Sequence, residues 1–71
     1  MSVEVTAPMS GSIWKIHVKV GDQVSFEDEL MILEALKMEN PIYAPNDGTV
    51  TEIRVSENQM VEANDVLMVL D

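Results

Sequence analysis

Leu30-Met31-Ile32-Leu33-Glu34-Ala35-Leu36-Lys37-Met38 admits two readings, and the choice between them decides the fold. As a helix, it has Ser25 and Asp28 ahead of it as an N-terminal capping pair, and Leu30, Leu33, Leu36 and Lys37 fall at helical spacing. Its Glu, Leu, Met, Ala and Lys residues are good helix formers. The case for a strand comes from elsewhere in the chain. Slid against itself by 37 positions, the sequence places Leu30-Met31-Ile32-Leu33-Glu34 on Leu67-Met68-Val69-Leu70-Asp71. The second run, Val66 to Leu70, is short and β-branched at two of its five positions. Duplicated segments share a backbone, so both runs are expected to be strands.

The same offset holds along the whole chain without a gap. Ala7-Pro8-Met9-Ser10-Gly11-Ser12-Ile13 falls on Ala44-Pro45-Asn46-Asp47-Gly48-Thr49-Val50. Ile16 falls on Ile53, Val18 on Val55, Val24 on Val61 and Asp28 on Asp65; Met38 starts the second copy as Met1 starts the first. Each copy reads as short strands between turns. Val3, Val5 and Ala7 alternate with polar residues up to a turn bracketed by Pro8 and Gly11. Ile16, Val18 and Val20 alternate with Lys15, His17 and Lys19 up to Gly21-Asp22. The steps Ile13 to Ile16 and Val50 to Ile53 are three residues, which swaps faces in a regular strand. The slip occurs in both copies, so a bulge or bend is expected at each place. Residues 1–71 are therefore expected to form a single all-β domain. It would be a flattened β-barrel or sandwich of two antiparallel four-stranded sheets, with internal pseudo-two-fold symmetry and repeat halves of about 1–37 and 38–71. The two-fold exchanges the central joint with the chain ends, so joint and termini are expected at opposite ends.

Composition narrows the function. Thirteen carboxylates against Lys15, Lys19, Lys37 and Arg54 give a formal net charge of −9. Such a chain repels phosphate backbones and anionic lipid, so neither nucleic-acid binding nor membrane insertion is expected. There is no cysteine and one histidine, His17, which excludes a thiolate site and a multi-histidine metal site within the chain. The carboxylates are scattered rather than spaced as calcium ligands, and one histidine supports no catalytic triad. No apolar run approaches the roughly 18 residues of a membrane span, and the first residues do not read as a signal peptide, so a cytoplasmic location is expected.

The joint holds Glu34-Ala35-Leu36-Lys37-Met38-Glu39. It reads as strand, tight connection and strand, yet it lacks the glycine that hairpin turns favour. Leu36 and Met38 do little for a core at such a tip, so they can serve a visiting partner or an attached group. The plainer alternative is an ordinary lysine guarding a hairpin against edge pairing.

That hexapeptide, at the joint of a duplicated small domain, resembles the attachment site of the biotinyl domains, the biotin carboxyl carrier family. The resemblance extends over Ala7-Pro8 and Gly11, Gly21-Asp22 with Val24, and Ala44-Pro45 with Gly48-Thr49-Val50. The family's hallmark is Lys-Met, usually preceded by Met and often by Glu-Ala; here Leu36 replaces the Met, at similar volume. The family's flexible Pro/Ala-rich linker is not seen in residues 1–4. The resemblance implies a carrier that is not catalytic alone. Lys37 would take biotin covalently, Leu36 and Met38 would flank it for recognition, and Ala35, Glu34 and Glu39 would form the hairpin context. The implied partners are a biotin protein ligase, a biotin carboxylase and a carboxyltransferase. Biotin on Lys37 would carry a carboxyl group between the last two, within a carboxylase, decarboxylase or transcarboxylase. The related lipoyl domains share the fold but carry Asp before the lysine and Ala after it. Lipoate on Lys37, shuttling acyl or aminomethyl groups, is thus the second reading, and an unmodified all-β interaction module the third.

Elsewhere, Trp14 is in phase with Ile16 and expected to pack on the sheet, although its counterpart is Thr51. His17 is expected at the surface, and most of the six methionines as adaptable core filling.

Overall fold

A computed structural model describes residues 2–71; Met1, which the repeat pairs with Met38, lies outside them. Eight strands follow one another: β1 (Val3–Thr6), β2 (Gly11–Ile16), β3 (Gln23–Val24), β4 (Glu29–Ala35), β5 (Met38–Tyr43), β6 (Gly48–Ile53), β7 (Met60–Val61) and β8 (Val66–Leu70). They form two antiparallel four-stranded sheets, ordered β1-β8-β6-β3 and β5-β4-β2-β7. The offset of 37 converts one order into the other. Each half lends two strands to the other half's sheet, so neither half has a complete sheet of its own.

The equivalence extends to register. Leu33 lies opposite Asn40 as Leu70 lies opposite Val3, and Met31 opposite Ile42 as Met68 opposite Val5. The expected slips are present as register shifts between Ile13 and Lys15 and between Val50 and Glu52. Turns repeat as well. Ser25 N donates to Asp28 Oδ2 at 2.8 Å and Glu62 N to Asp65 Oδ2 at 2.9 Å. Lys19 N donates to Asp22 Oδ2 and Ser56 N to Gln59 Oε1, each at 3.0 Å. The helical signal at Ser25 and Asp28 has its source here. A carboxylate that caps a backbone N–H three residues back closes a turn as readily as it opens a helix.

The core lies between the sheets and repeats in pairs. Leu30 and Leu67 are both 0% exposed, as are Ile13 and Val50, Met31 and Met68, and Leu33 and Leu70. Val24 and Val61 are buried; Ile16 and Ile53 are partly buried against the core. Three expectations fail. The methionines are not mostly core filling: Met31 and Met68 are buried, but Met9, Met38 and Met60 are exposed, at strand edges, the hairpin and a turn rather than between the sheets. Trp14 does not pack on the sheet but is 39% exposed, with Lys15 Nζ 5.6 Å from its ring centroid. The bulge that keeps Ile13 and Ile16 inward turns both intervening residues out. The strand expected through Val20 ends at Ile16; Val20, 60% exposed, belongs to the turn closed by Lys19 and Asp22.

Strand direction separates the joint from the chain ends. β2 starts beside the β4–β5 joint, where Ser12 lies opposite Glu34. By Gly21 and Asp22 the chain reaches Val50, next to Thr49, which is bonded in both directions to Asp71. Val3 is paired with Leu70 at that same end. The molecule measures 32 × 17 × 17 Å, and the joint and the ends occupy opposite poles of it.

Gly11 is needed for close approach. A Cβ there would stand 2.4 Å from the Glu34 carbonyl oxygen, whereas one on its counterpart Gly48 would stand 3.3 Å from that of Asp71. Gly11→Ala is therefore expected to cost about 1–3 kcal/mol in thermal unfolding, and Gly48→Ala less. Leu30→Ala and Leu67→Ala are each expected to cost about 2–5 kcal/mol by the same measurement.

Candidate functional site

Ala35 and Met38 are the last cross-strand pair of β4 and β5, leaving Leu36 and Lys37 as a two-residue loop. Their φ angles are 55° and 62°. Two successive positive φ values mark the primed turn whose twist suits a tight hairpin and whose usual residues are Asn-Gly. For an L-residue with a Cβ, the left-handed region costs about 1–2 kcal/mol. Burial does not offset that cost, since Leu36 is 90% exposed. The strain is held by the long β4–β5 ladder and by the close packing of Gly11 beneath Glu34.

Lys37 is exposed at this tip, and among the described residues its ammonium has no ion pair or hydrogen bond. Of the other basic groups, Lys15 lies over Trp14 and Arg54 reaches Glu52 at 3.1 Å, whereas the Lys19 ammonium, like that of Lys37, has no partner among the described residues. Ala35 is buried and anchors the hairpin, while Met38, on the same face, is 64% exposed. Glu34 and Glu39 stand directly opposite one another and are both exposed. Like charges so placed weaken a hairpin. The structure thus brings all six expected residues, Glu34 to Glu39, into one projecting hairpin.

Two residues at this pole escaped the reading of the sequence. Met60, opposite Ser12 at the edge of the same sheet, is 74% exposed. Asn40 Nδ2 donates to Met38 O at 3.1 Å and to Leu33 O at 3.4 Å. The repeat carried a signal for both, because their counterparts are Gln23 and Val3, residues of different character.

None of the principal pockets among the described residues is lined by Lys37. A groove of about 370 Å³ runs between the edge strands β1 and β5 instead, lined by Val5, Pro8, Pro41, Ile42, Tyr43 and Pro45 among others. No group of three or more His, Cys, Asp or Glu able to hold a metal occurs among the described residues. His17 is at the surface as expected, 2.7 Å from Glu29. Among the described residues, no helix is long and apolar enough to cross a membrane. The described residues thus form a small all-β domain with an exposed lysine at the tip of a strained, glycine-free hairpin, where its amine is accessible from solvent.

Comparison with known proteins agrees with that class. A profile of the family described as "Biotin-requiring enzyme" matches residues 3–70, and the chain belongs to that family. It is 50% identical over 44 residues to the biotin/lipoyl attachment protein of Bacillus subtilis, a match covering 62% of this chain and 60% of that one. It is 63% identical over 38 residues to the biotin carboxyl carrier protein of Streptococcus mutans, covering 54% of this chain and 29% of that one. The urea carboxylase of Kluyveromyces lactis contains a segment that superposes on the whole chain with a TM-score of 0.94 at 32% identity, covering 6% of the carboxylase. The chain thus spans 60% of the first of these proteins and far less of the other two.

If the hairpin stores strain at Leu36, removing the Cβ should release it. Leu36→Gly is expected to stabilise the domain by roughly 1 kcal/mol, a rise of several degrees in melting temperature. A fall would show that Leu36 packs usefully.

Proposed function

We propose that the domain is a biotin carrier whose Lys37 Nζ is the attachment point. The observation that carries this reading is an exposed, unpaired lysine in a strained two-residue turn, at the pole opposite the paired chain ends. The residues fit the group. Nζ must lose a proton before its lone pair can attack the carbonyl carbon of an activated biotinyl-adenylate. The C–N bond then forms as the bond between the carbonyl carbon and the AMP phosphate oxygen breaks; AMP leaves, the nitrogen sheds a second proton, and the lysine's charge is lost in the amide. The turn holds Lys37 clear of its own sheet, so a ligase can close around it without unfolding β4 or β5. Leu36 and Met38 offer apolar area to that ligase, and Glu34 and Glu39 give it a charged rim that steers encounter.

Biotin, when bound, supplies a ring that takes up and gives up a carboxyl group. The chain's own part is to position and tether. Anchored at the pole of Val3 and Leu70, the domain swings its opposite pole between a biotin carboxylase and a carboxyltransferase. Tethering holds the cofactor near both at an effective concentration on the order of millimolar. On this reading the domain catalyses nothing alone, and its parent is a biotin-dependent carboxylase, decarboxylase or transcarboxylase. The ATP used by the ligase and the carboxylase suits a cytoplasmic setting. Lipoate is disfavoured by Leu36 and Met38, where lipoyl domains carry Asp and Ala.

Intact-mass analysis of protein incubated with a biotin ligase, biotin and ATP is expected to show one biotin per chain. A lipoyl adduct from a host that makes both cofactors would transfer the assignment to the second reading. Lys37→Arg is expected to abolish streptavidin binding although Lys15 and Lys19 remain; retained signal would remove Lys37 from the proposal.

A further inference from the structure

We propose that Asn40 is a positioning residue that fixes the orientation of Lys37, an inference that rests on Lys37 being the modified residue. Asn40 lies opposite Leu33, a core residue with 0% exposure, and is itself partly buried. A carboxamide at such a place must find partners or be desolvated at a cost. Its Nδ2 finds two: Met38 O at 3.1 Å and Leu33 O at 3.4 Å. One carbonyl belongs to the residue that follows Lys37, the other to the opposite strand. Both lie in the β4–β5 ladder, and a carbonyl oxygen has a second lone pair to offer. The amide therefore ties the two legs of the hairpin together just below its strained tip.

The duplication supplies an internal control. The position equivalent to Asn40 is Val3, opposite Leu70 with the same register. Valine thus meets the packing requirement there without a polar group. At Val3 the paired strands are β1 and β8, which no turn joins; at Asn40 they lead into Leu36 and Lys37, both at positive φ. The polar group is present at the pole that has a loop to hold and absent from the pole that has none. Asn40 does not touch the Lys37 amine. It acts through Met38, whose peptide immediately follows Lys37 and sets how the lysine leaves the turn. Without the clamp, the two turn residues can relax toward less strained φ values. The hairpin then occupies the presented geometry for only part of the time, and the apparent affinity of a ligase falls by that fraction.

The test is Asn40→Val, which installs the residue of the equivalent position, with Asn40→Ser as a second variant that keeps a small polar group. Kinetics would use a purified biotin protein ligase with ATP and biotin. The expected result is a rise in KM for the domain of about tenfold with kcat little changed, and a melting temperature within a few degrees of the parent. In parallel, ¹⁵N relaxation and amide exchange are expected to report increased mobility confined to Leu36, Lys37 and Met38. An unchanged KM with an unchanged, rigid tip would overturn the proposal. So would a loss of amide protection spread over β2 and β8, since Asn40 would then be an ordinary part of the fold. Should the parent domain accept no biotin at Lys37, the functional reading falls, and the relaxation measurements still decide whether Asn40 holds the turn.

Discussion

Everything in this molecule depends on strand exchange between its two halves. β1 hydrogen-bonds to β8 and β5 to β4, with matched registers, and the short β3 and β7 each pair with a strand of the other half. A half-chain would leave two partial sheets with open edges and an uncovered apolar face. Joined, the halves bury Leu30 and Leu67, Ile13 and Val50, and their neighbours in one shared core. For 71 residues without a cysteine to form a disulfide, that mutual closure is what allows a stable domain.

The symmetry also explains where function can sit. A strict two-fold gives each feature twice, except where the chain itself breaks the relation. The break comes at the joint, where β4 must turn into β5, while the equivalent strands β8 and β1 simply end. Only there does a two-residue turn join consecutive strands of one sheet, and among the described residues only there do two successive residues have positive φ. The remaining non-glycine residues of that kind lie in matched turns: Glu27 with Asn64, and Asn58 with Gly21. Asparagine and glycine accept that conformation easily, whereas Leu36 and Lys37, like the single Glu27, do not. That turn therefore carries the most exposed large apolar side chain among the described residues and an unpaired lysine, while the ladder beneath holds both in place.

Much of this was legible before any coordinates. The repeat overruled a helical pattern over residues 25–38, because Val66 to Leu70 could not be a helix of useful length. The three-residue steps foretold both bulges. What the sequence hid was the local result of those bulges. Trp14 follows the alternation set by Ile16 only if the strand is regular, and the register shift reverses it. Val20 likewise continues an apolar alternation past the point where Lys19 and Asp22 have already closed a turn. The hairpin sequence pointed to Lys37 but not to its strain, since primed turns are recognised by glycine and none is present.

Asn40 shows why the rest stayed hidden. Within the sequence it is one polar residue beside Pro41, unremarked in a turn-rich stretch. Its meaning appears only when the register sets it against Leu33 and the duplication sets it against Val3. Symmetry then separates what the fold requires from what the pole requires. Where both copies carry the same kind of residue, as at Leu30 and Leu67, packing explains it. Where one copy departs at an equal depth and an equal register, packing has already been met by the other residue, and the departure needs a different cause. On the proposed reading, that cause at Asn40 lies three residues away, in the turn that carries Lys37 clear of the sheet.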